Sequence, residues 1–388
     1  DITPDKQRMD SLMVAANIRN LSLLELFYTC VANLCKIMDG RGTKIPDEQH
    51  HYIEKDDYNK CIYHKRDMDA TERTVIVMKD ADILIKICDS TGDFDDTSEY
   101  QLLIRLLKER TIIDDDGSRR LRQKEEVENP SEVLLNPSDP EATFRYKAGG
   151  KHLGYVGNVV EAVGEKSSLV IDYDYQQNTY ADNQFMKDYL NEKKDFSDGS
   201  FIVADGAYSG EENSRLASEH NLKLVTTNFT GRKPDEIYAD FVFTEDGKYL
   251  IKCKNDCNPE ECSYDPGNDR SVAYFQRSNC EECPYRERCQ PRFLKTRVRK
   301  EVSWKSVGRA KQLQYMQTEE FSEYAKFRNG VEAIPSLLRR RYHVDKIPVH
   351  GKKRTRLFFG FKIAALDFQK LLDYTNSLDS HASNKKTA

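Results

Sequence analysis

The order of strand-like and helix-like segments is the feature that most constrains the fold of this 388-residue chain. Residues 8–20 alternate loosely and are rich in apolar side chains, which predicts a strand. Residues 21–38 and 98–110 carry apolar side chains at helical spacing. Strands and helices then alternate, at residues 152–163, 168–177, 181–194, 201–204, 210–222 and 223–228. This order is typical of a mixed α/β domain whose strands converge on one sheet.

The strand predicted at Phe201–Ala204 ends at a carboxylate, Asp205, which Gly206 follows directly. An Asp-Gly pair commonly begins a turn, and a turn is the simpler interpretation. The alternative is a metal site, in which Gly206 leaves room for a metal ion and a sugar-phosphate backbone. A metal site needs further carboxylates, and Asp10 would supply one if its strand lies beside residues 201–204. Competing candidate ligands are Asp139, in a proline-flanked loop that we expect to be flexible, and Asp172, Asp174 and Asp182.

Glu332 is the best candidate for a third carboxylate. Residues 322–344 have a helical pattern, and at 100° per residue Arg328, Glu332 and Arg339 share one helical face. An ordinary surface Arg–Glu pair is the alternative interpretation. Mg²⁺ prefers carboxylate oxygens, and two such ions can assist the in-line displacement of a phosphoryl group.

Positive charge is concentrated near the end of the chain. Residues 292–356 contain 18 Lys and Arg against 6 Asp and Glu, although the whole chain has a net charge of −5. The basic triplets at residues 339–341 and 352–354 indicate a surface that contacts phosphates. No apolar run is long enough to cross a membrane.

Six of the ten cysteines fall within residues 253–289, namely Cys253, Cys257, Cys262, Cys280, Cys283 and Cys289. Thiolates at this spacing can bind zinc, and one tetrahedral ion takes four of them. Reduced thiols without metal and disulfides are the alternatives. Spacing alone does not select the four ligands.

Three blocks of the sequence are similar to one family. They are RMDSLMVAANIRNLSLLELFYT, NPSDPEATFRYKAGGKHLGYVGNVVEAV with the later VADGAYSG, and FRNGVEAIPSLLRRRYHVDKIPVHGKKR. The chain thereby resembles bacterial insertion-sequence transposases that carry a DDE catalytic triad on an RNase H-like fold. The last block also has the family's spacing of Arg328, Glu332 and a basic residue, here Arg339.

The resemblance implies that Asp10, Asp205 and Glu332 are catalytic and bind Mg²⁺ or Mn²⁺, with two ions in the site. It implies cleavage at transposon ends and strand transfer into target DNA, with double-stranded DNA as the partner, a homodimer in the active complex and a cytoplasmic, nucleoid-associated protein. A DNA nuclease without strand transfer and an inactive DNA-binding relic are the alternatives. Residues that we expect to contact DNA are Arg328, Arg339, Arg340, Lys151, His152, Lys352 and Lys353, although His152 fits an ordinary strand edge equally well.

The expected fold is an RNase H-like mixed sheet flanked by helices. It has a helical insertion after the first strand and a cysteine-rich insertion before the glutamate helix. The predicted segments are the first strand (1–20), a helical insertion with a charged linker (21–145), core strands and helices (146–228), the cysteine-rich insertion (229–305), C-terminal core helices (306–375) and a disordered tail (376–388). Because the chain opens on Asp1, we expect a C-terminal portion that lacks an N-terminal DNA-binding region.

Overall fold

A computed structural model describes residues 2–64, 68–147, 149–165, 167–192 and 196–385 as a mixed α/β protein. The strands are β1 (Lys6–Ala15), β2 (Thr111–Ile113), β3 (Arg119–Leu121), β4 (Thr143–Lys147), β5 (Gly150–Val163), β6 (Ser168–Gln177), β7 (Phe201–Ala204), β8 (Lys223–Thr226), β9 (Val242–Phe243), β10 (Leu250–Lys252), β11 (Glu261–Asp265), β12 (Arg270–Gln276), β13 (Arg292–Phe293) and β14 (Arg297–Val302). The α-helices of four or more residues are α1 (Leu23–Gly40), α2 (Ala70–Thr91), α3 (Ser98–Arg110), α4 (Asp182–Glu192), α5 (Glu211–Glu219), α6 (Arg277–Glu281), α7 (Arg286–Cys289), α8 (Trp304–Tyr315), α9 (Glu319–Arg328), α10 (Ala333–Arg340) and α11 (Lys352–Lys385). None of the described helices is both long enough and apolar enough to cross a membrane.

The chain divides into two compact units, neither of which is continuous in sequence. The first contains Asp1–Ile2, Asp10–Ala181 and Ala333–Ala388, and the second contains Thr3–Met9 and Asp182–Glu332. Strand β1 therefore contributes its first residues to the second unit and its last residues to the first.

The helical part of the first unit is built around α1. Ser22 caps this helix by accepting a hydrogen bond from the Glu25 amide, and the Glu25 carboxylate accepts one from the Ser22 amide in return. Asp69 caps α2 in the same reciprocal way. The buried faces of α1, α2 and α3 form one apolar core, in which Cys35 and Cys88 are fully buried.

A sheet forms the other part of the first unit. Strand β5 pairs antiparallel with β4 on one side and β6 on the other, and it also neighbours β1. Helices α10 and α11 share an apolar core with β5 and β6, centred on Tyr155, Tyr175 and Phe359. The Phe359 ring lies so close to Gly157 that a Cβ there would be 2.5 Å from it, so α11 packs onto the strand at a position without a side chain.

Parallel strands form the sheet of the second unit. Lys6, Gln7 and Arg8 of β1 pair with residues 201–203 of β7, which pairs in turn with β8. The start of the first strand thus lies beside residues 201–203, which is the arrangement that the hypothesis about Asp10 requires. Helix α9 covers β7, and Phe201 packs against the rings of Tyr324 and Phe327 at centroid distances of 4.8 and 5.1 Å.

The second unit also contains an antiparallel sheet in the order β11-β12-β14-β13, with a separate β9-β10 pair. Phe241, Phe243, Leu250 and Phe275 form its apolar core, and five of the cysteines between residues 253 and 289 pack against that core.

Two segments differ from the sequence prediction. Part of the charged linker predicted within residues 21–145 is strand β3, which pairs with β2, and Arg120 of β3 forms ion pairs with Asp114 and Glu126. The tail predicted from residue 376 onward is helical to Lys385, since neither glycine nor proline interrupts α11 there. Residues 386–388 of that tail lie outside the described part of the chain.

Candidate functional site

Asp205 lies at the carboxyl end of the parallel strand β7, where the chain turns into a single 3₁₀ turn at Gly206–Tyr208. Its side chain is 38% exposed, and its two oxygens accept hydrogen bonds from different segments. Oδ1 lies 3.3 Å from Asn228 Nδ2, and Oδ2 lies 3.2 Å from Arg328 Nη2. A carboxylate has about four lone-pair positions, so two donors orient Asp205 and leave it able to bind a cation.

The turn after Asp205 is fixed by Gly206 and Asn213. A Cβ on Gly206 would lie 2.0 Å from the Asn228 carbonyl oxygen, so the glycine lets the segment after β8 pack directly against the turn. Buried Asn213 donates to the Tyr208 carbonyl at 2.9 Å and holds the far end of the turn. The interpretation that Gly206 leaves room for a metal and a DNA backbone is therefore wrong, because protein backbone fills that space.

The sequence pattern predicts that Arg328, Glu332 and Arg339 lie on one helix, but the structure interrupts that helix. Helix α9 ends at Arg328, residues 329–332 form a turn, and α10 begins at Ala333. The predicted common helical face is therefore wrong. Asn329 and Gly330 are poor helix formers, and the Val331 amide bonds the Arg328 carbonyl at 2.7 Å instead of continuing the α-helical pattern. Pro335 then occupies the first turn of α10, where a missing amide proton costs little.

The turn exposes Glu332 and packs Gly330 against Arg8 of β1. The Arg8 guanidinium carbon lies 4.3 Å from the centroid of the Phe327 ring, a cation–π contact within the second unit. Arg328 is 23% exposed and points its guanidinium at Asp205. This end of β7 therefore combines an oriented carboxylate with nearby arginine.

Asp10 is half-buried on β1, and its Oδ1 accepts a hydrogen bond of 2.9 Å from the Ser11 amide. It belongs to the first unit, whereas Asp205 and Glu332 belong to the second. The gathering of the three carboxylates stays a prediction.

Of the competing carboxylates, Asp139 differs most from its prediction. It is fully buried and accepts a hydrogen bond from the Tyr155 hydroxyl, so its proline-flanked loop is packed rather than flexible. Asp172 and Asp174 are half-buried and accept hydrogen bonds from the amides that follow them, whereas Asp182 begins α4.

The residues expected to contact DNA occupy several elements. In the first unit, Lys151 is exposed on β5 and lies over the Phe144 ring, and His152 lies 3.3 Å from the Lys147 carbonyl oxygen. Arg339 and Arg340 are exposed in the last turn of α10, with Arg339 4.0 Å from Asp345. At the start of α11, Lys352 donates to Gln176 at 2.8 Å, whereas Lys353 is exposed.

Five of the six clustered cysteines line one small cavity of about 30 Å³ in the second unit; they are Cys253, Cys257, Cys280, Cys283 and Cys289. Burial, reinforced by the neighbouring thiols, raises the pKa of Cys280 to about 11. Cys262 is not among the described residues that line the cavity, and its Sγ lies 3.0 Å from Ser271 Oγ. Structure thus narrows the candidate zinc ligands from six to five.

Among the described residues, the potential ligands whose atoms lie within 4.8 Å of one another are not the clustered cysteines but His51, Asp57 and Cys61 of the first unit, a group that sequence reasoning missed. Asp57 Oδ2 accepts hydrogen bonds of 2.5 Å from Tyr28 and 2.8 Å from His51. Burial opposes ionisation of Asp57, but these hydrogen bonds outweigh it and lower its pKa. The group is therefore explained as the hydrogen-bonded shell of a buried carboxylate.

Arg8 and Asn228 were also missed, although both flank the predicted site. Arg8 stands two residues before Asp10 on β1, and Asn228 follows β8 as Asp205 follows β7. The position of Asn228 after β8 is a signal that the sequence carries, because the carboxyl ends of neighbouring parallel strands lie at the same edge of a sheet.

Comparison with known proteins gives one family match. Residues 254–372, just under a third of the chain, match the family model described as "Transposase DDE domain". The matched range includes Arg328, Glu332 and Arg339, and it confirms the family resemblance there. No curated protein and no solved structure matches the chain.

Proposed function

Because this chain carries a transposase DDE domain, we propose that it is a metal-dependent DNA transposase. It cleaves a phosphodiester at the transposon end, and the freed 3′-hydroxyl then attacks target DNA. The observation that carries the proposal is the pairing of this family match with an oriented carboxylate, Asp205, at the carboxyl end of a parallel strand. Ligand-binding groups concentrate at such strand ends in α/β sheets.

The proposed metal ligands are Asp10, Asp205 and Glu332. Asp205 keeps lone pairs beyond its two hydrogen bonds, and exposed Glu332 can adopt several rotamers, so the donor set fits Mg²⁺ or Mn²⁺.

When bound, a pair of such ions supplies charge stabilisation to both the attacking and the leaving oxygen. The protein's own groups position the carboxylates. Asn228 and Arg328 hold Asp205 in one orientation before any ligand arrives, which reduces the reorganisation required during the reaction. Arg328 also offers a guanidinium beside the site, where it could contact a DNA phosphate.

We propose that basic residues of the first unit also contact DNA. Arg339 and Arg340 on α10, Lys352 and Lys353 on α11, and Lys151 with His152 on β5 would contact the phosphate backbone. Joining two transposon ends requires two active sites, so we propose a homodimer in the active complex, acting on DNA in the nucleoid.

An RNase H-like fold is the architecture that we propose for the catalytic core. Parallel β1, β7 and β8 in one unit and antiparallel β4, β5 and β6 in the other are the strand types that this fold requires. The segment boundaries predicted at residues 20, 145, 228, 305 and 375 belong to the same proposal.

A cleavage and joining assay tests this function. The purified chain is incubated with Mg²⁺ and duplex oligonucleotides that carry the DNA flanking both ends of its gene, either intact or already cut to expose the 3′-hydroxyl. We expect cleavage of the intact ends and joining of the cut ends to a plasmid. Cleavage without joined product would identify a nuclease, and binding without either reaction would identify a relic.

The site assignment needs its own variants. Asp205→Asn should reduce cleavage by at least about a hundredfold, because several kcal/mol of transition-state stabilisation depend on the ions. Asp198→Asn is the matched control, since this carboxylate is exposed in the loop before β7. Equal activity of both variants would contradict the assignment of Asp205.

A further inference from the structure

Five cysteines converge on one cavity although they come from two separate segments. Cys253 and Cys257 belong to the loop after β10, and Cys280, Cys283 and Cys289 belong to the α6–α7 segment. Four of the five, Cys253, Cys257, Cys280 and Cys289, also pack against the apolar core of the sheet. Packing accounts for their burial, but it does not by itself require sulfur at these positions.

The loop after β10 has the geometry of a tight turn around its two thiols. The Cys253 amide donates to the Cys257 carbonyl at 3.0 Å, and the Asp256 amide donates to the Cys253 carbonyl at 3.0 Å. Asp256 has a φ of +55°, a left-handed conformation that few side chains tolerate. Both cysteines of this turn line the cavity.

The second segment is arranged in a comparable way. The Arg286 amide donates to the Cys283 carbonyl at 3.0 Å, and the Cys289 amide donates to the Tyr285 carbonyl at 2.7 Å. Gln290, with a φ of +48°, ends α7 directly after Cys289. Cys280, Cys283 and Cys289 thus line the cavity from one short segment of the chain.

A buried cation also lines the cavity. Lys300 on β14 is 8% exposed, and its Nζ donates to two neutral oxygens, the Tyr238 hydroxyl and the Cys289 carbonyl. Arg286 lines the cavity as well. A hydrogen bond from Arg288 and the charges of Arg288 and Lys300 lower the pKa of Asp235, so this carboxylate compensates part of the buried charge of Lys300. An anionic centre in the cavity would compensate it further. Zinc bound by four thiolates carries two net negative charges, which Lys300 and Arg286 together would balance.

From this convergence we propose a structural zinc site in which four of the five cavity cysteines bind one tetrahedral Zn²⁺ and Lys300 balances the charge. Any four of the five include at least one residue of the β10 loop and at least two of the α6–α7 segment. The ion would therefore cross-link these two segments whichever cysteine is left over. Cys262 is excluded, because it faces Ser271 and not the cavity. The proposal is independent of catalysis by the carboxylates.

Zinc content tests the proposal directly. The full chain, produced with zinc in the medium and dialysed under reducing conditions, should hold about one zinc per molecule by elemental analysis. Replacement of zinc by Co²⁺ should give the visible absorption bands of tetrahedral thiolate coordination. A metal-free protein with five alkylatable thiols, or one with disulfides by intact-mass analysis, would overturn the proposal.

Single cysteine variants identify the zinc ligands, and the test does not require every variant to fold. Each of the five single Cys→Ser variants is compared with Cys262→Ser, a control in the same sheet that should keep its zinc. Four should lose most of the metal and one should retain it. If the ligand variants are insoluble, Lys300→Met supplies the second test, because residues around a metal site typically change affinity 10–100-fold. We expect zinc to pass to a competing chelator at least about tenfold more readily from Lys300→Met than from wild type. Zinc retention by all five cysteine variants, or unchanged affinity in Lys300→Met, would refute the site as described.

Discussion

Gly206→Ala is the most direct perturbation of the turn at Asp205. The added Cβ would lie 2.0 Å from the Asn228 carbonyl oxygen and 2.9 Å from Thr230 Cγ2. Ordinary contacts begin near 3.4 Å, so the segment at residues 228–230 must move by roughly 1 Å or more. Because the obstacle is backbone, no change of rotamer relieves it.

Two consequences follow from that displacement. Overpacking of this kind typically costs about 1–3 kcal/mol of stability, which we expect as a lower midpoint in urea unfolding. Asn228 also orients Asp205, and a shift of about 1 Å at a catalytic group can reduce turnover about a hundredfold. We expect DNA cleavage to fall further than the loss of folded protein explains.

Gly210→Ala is the matched control four residues away. Its Cβ would approach Asn213 no closer than 3.8 Å, and Gly210 has an extended backbone with φ of 172° that any residue adopts. This variant should keep wild-type stability within about 0.5 kcal/mol. If Gly206→Ala were as stable and as active as Gly210→Ala, the reasoning about the turn would be refuted.

Three further predictions concern other contacts. Gly157→Ala should destabilise the first unit by about 1–3 kcal/mol, because its Cβ would lie 2.5 Å from the Phe359 ring. In a double-mutant cycle of urea midpoints, adding Phe359→Leu should recover part of the lost stability. Additive losses in the two variants would contradict the contact. Burial opposes ionisation of Glu25, but hydrogen bonds from Ser22 and Tyr58 and the charge of Arg19 lower its pKa to about 2. Its contribution to stability should therefore be present above about pH 4.5 and be lost as the pH falls towards 2, and Glu25→Gln should flatten that part of a pH series of unfolding midpoints. Arg328→Met should change the free energy of unfolding by less than about 1 kcal/mol, since the ion pair of Arg328 with Asp205 is partly exposed. The same variant should reduce the slope of log DNA affinity against log salt concentration by about one, whereas Arg328→Lys should keep the slope. An unchanged slope in Arg328→Met would show that Arg328 does not contact DNA phosphates.

The strands could be predicted from the sequence where the local apolar pattern coincides with the observed hydrogen-bonded pairing. Residues 152–163 and 168–177 were predicted as a hairpin, and the structure has β5 and β6 within two residues of those limits. The strand before Asp205 was predicted at its observed position, because Phe201–Ala204 are apolar and the chain turns at the Asp-Gly pair. The short strands of the cysteine-rich sheet were missed, since polar residues occupy most of β11 and β14 and the pairing is between distant segments.

The candidate site was predictable in its residues more than in its local geometry. Asp205 and Arg328 do lie together, although 123 positions separate them in the chain. The predicted helical face of Arg328, Glu332 and Arg339 is wrong, because periodicity alone does not detect that the helix ends at Arg328, before Asn329 and Gly330. The role of Gly206 was also out of reach, since it depends on Asn228, which a different strand delivers.

The division of β1 has a consequence for how the chain is made. The second unit needs residues 3–9 together with residues 182–332, and the first needs residue 10 onward together with residues from 333. Synthesis of residues 1–200 therefore completes neither unit, and residues 6–8 must wait for partners that are synthesised about 200 positions later. Truncation between β1 and β7 would leave the first residues of β1 as an unpaired strand edge, which favours aggregation.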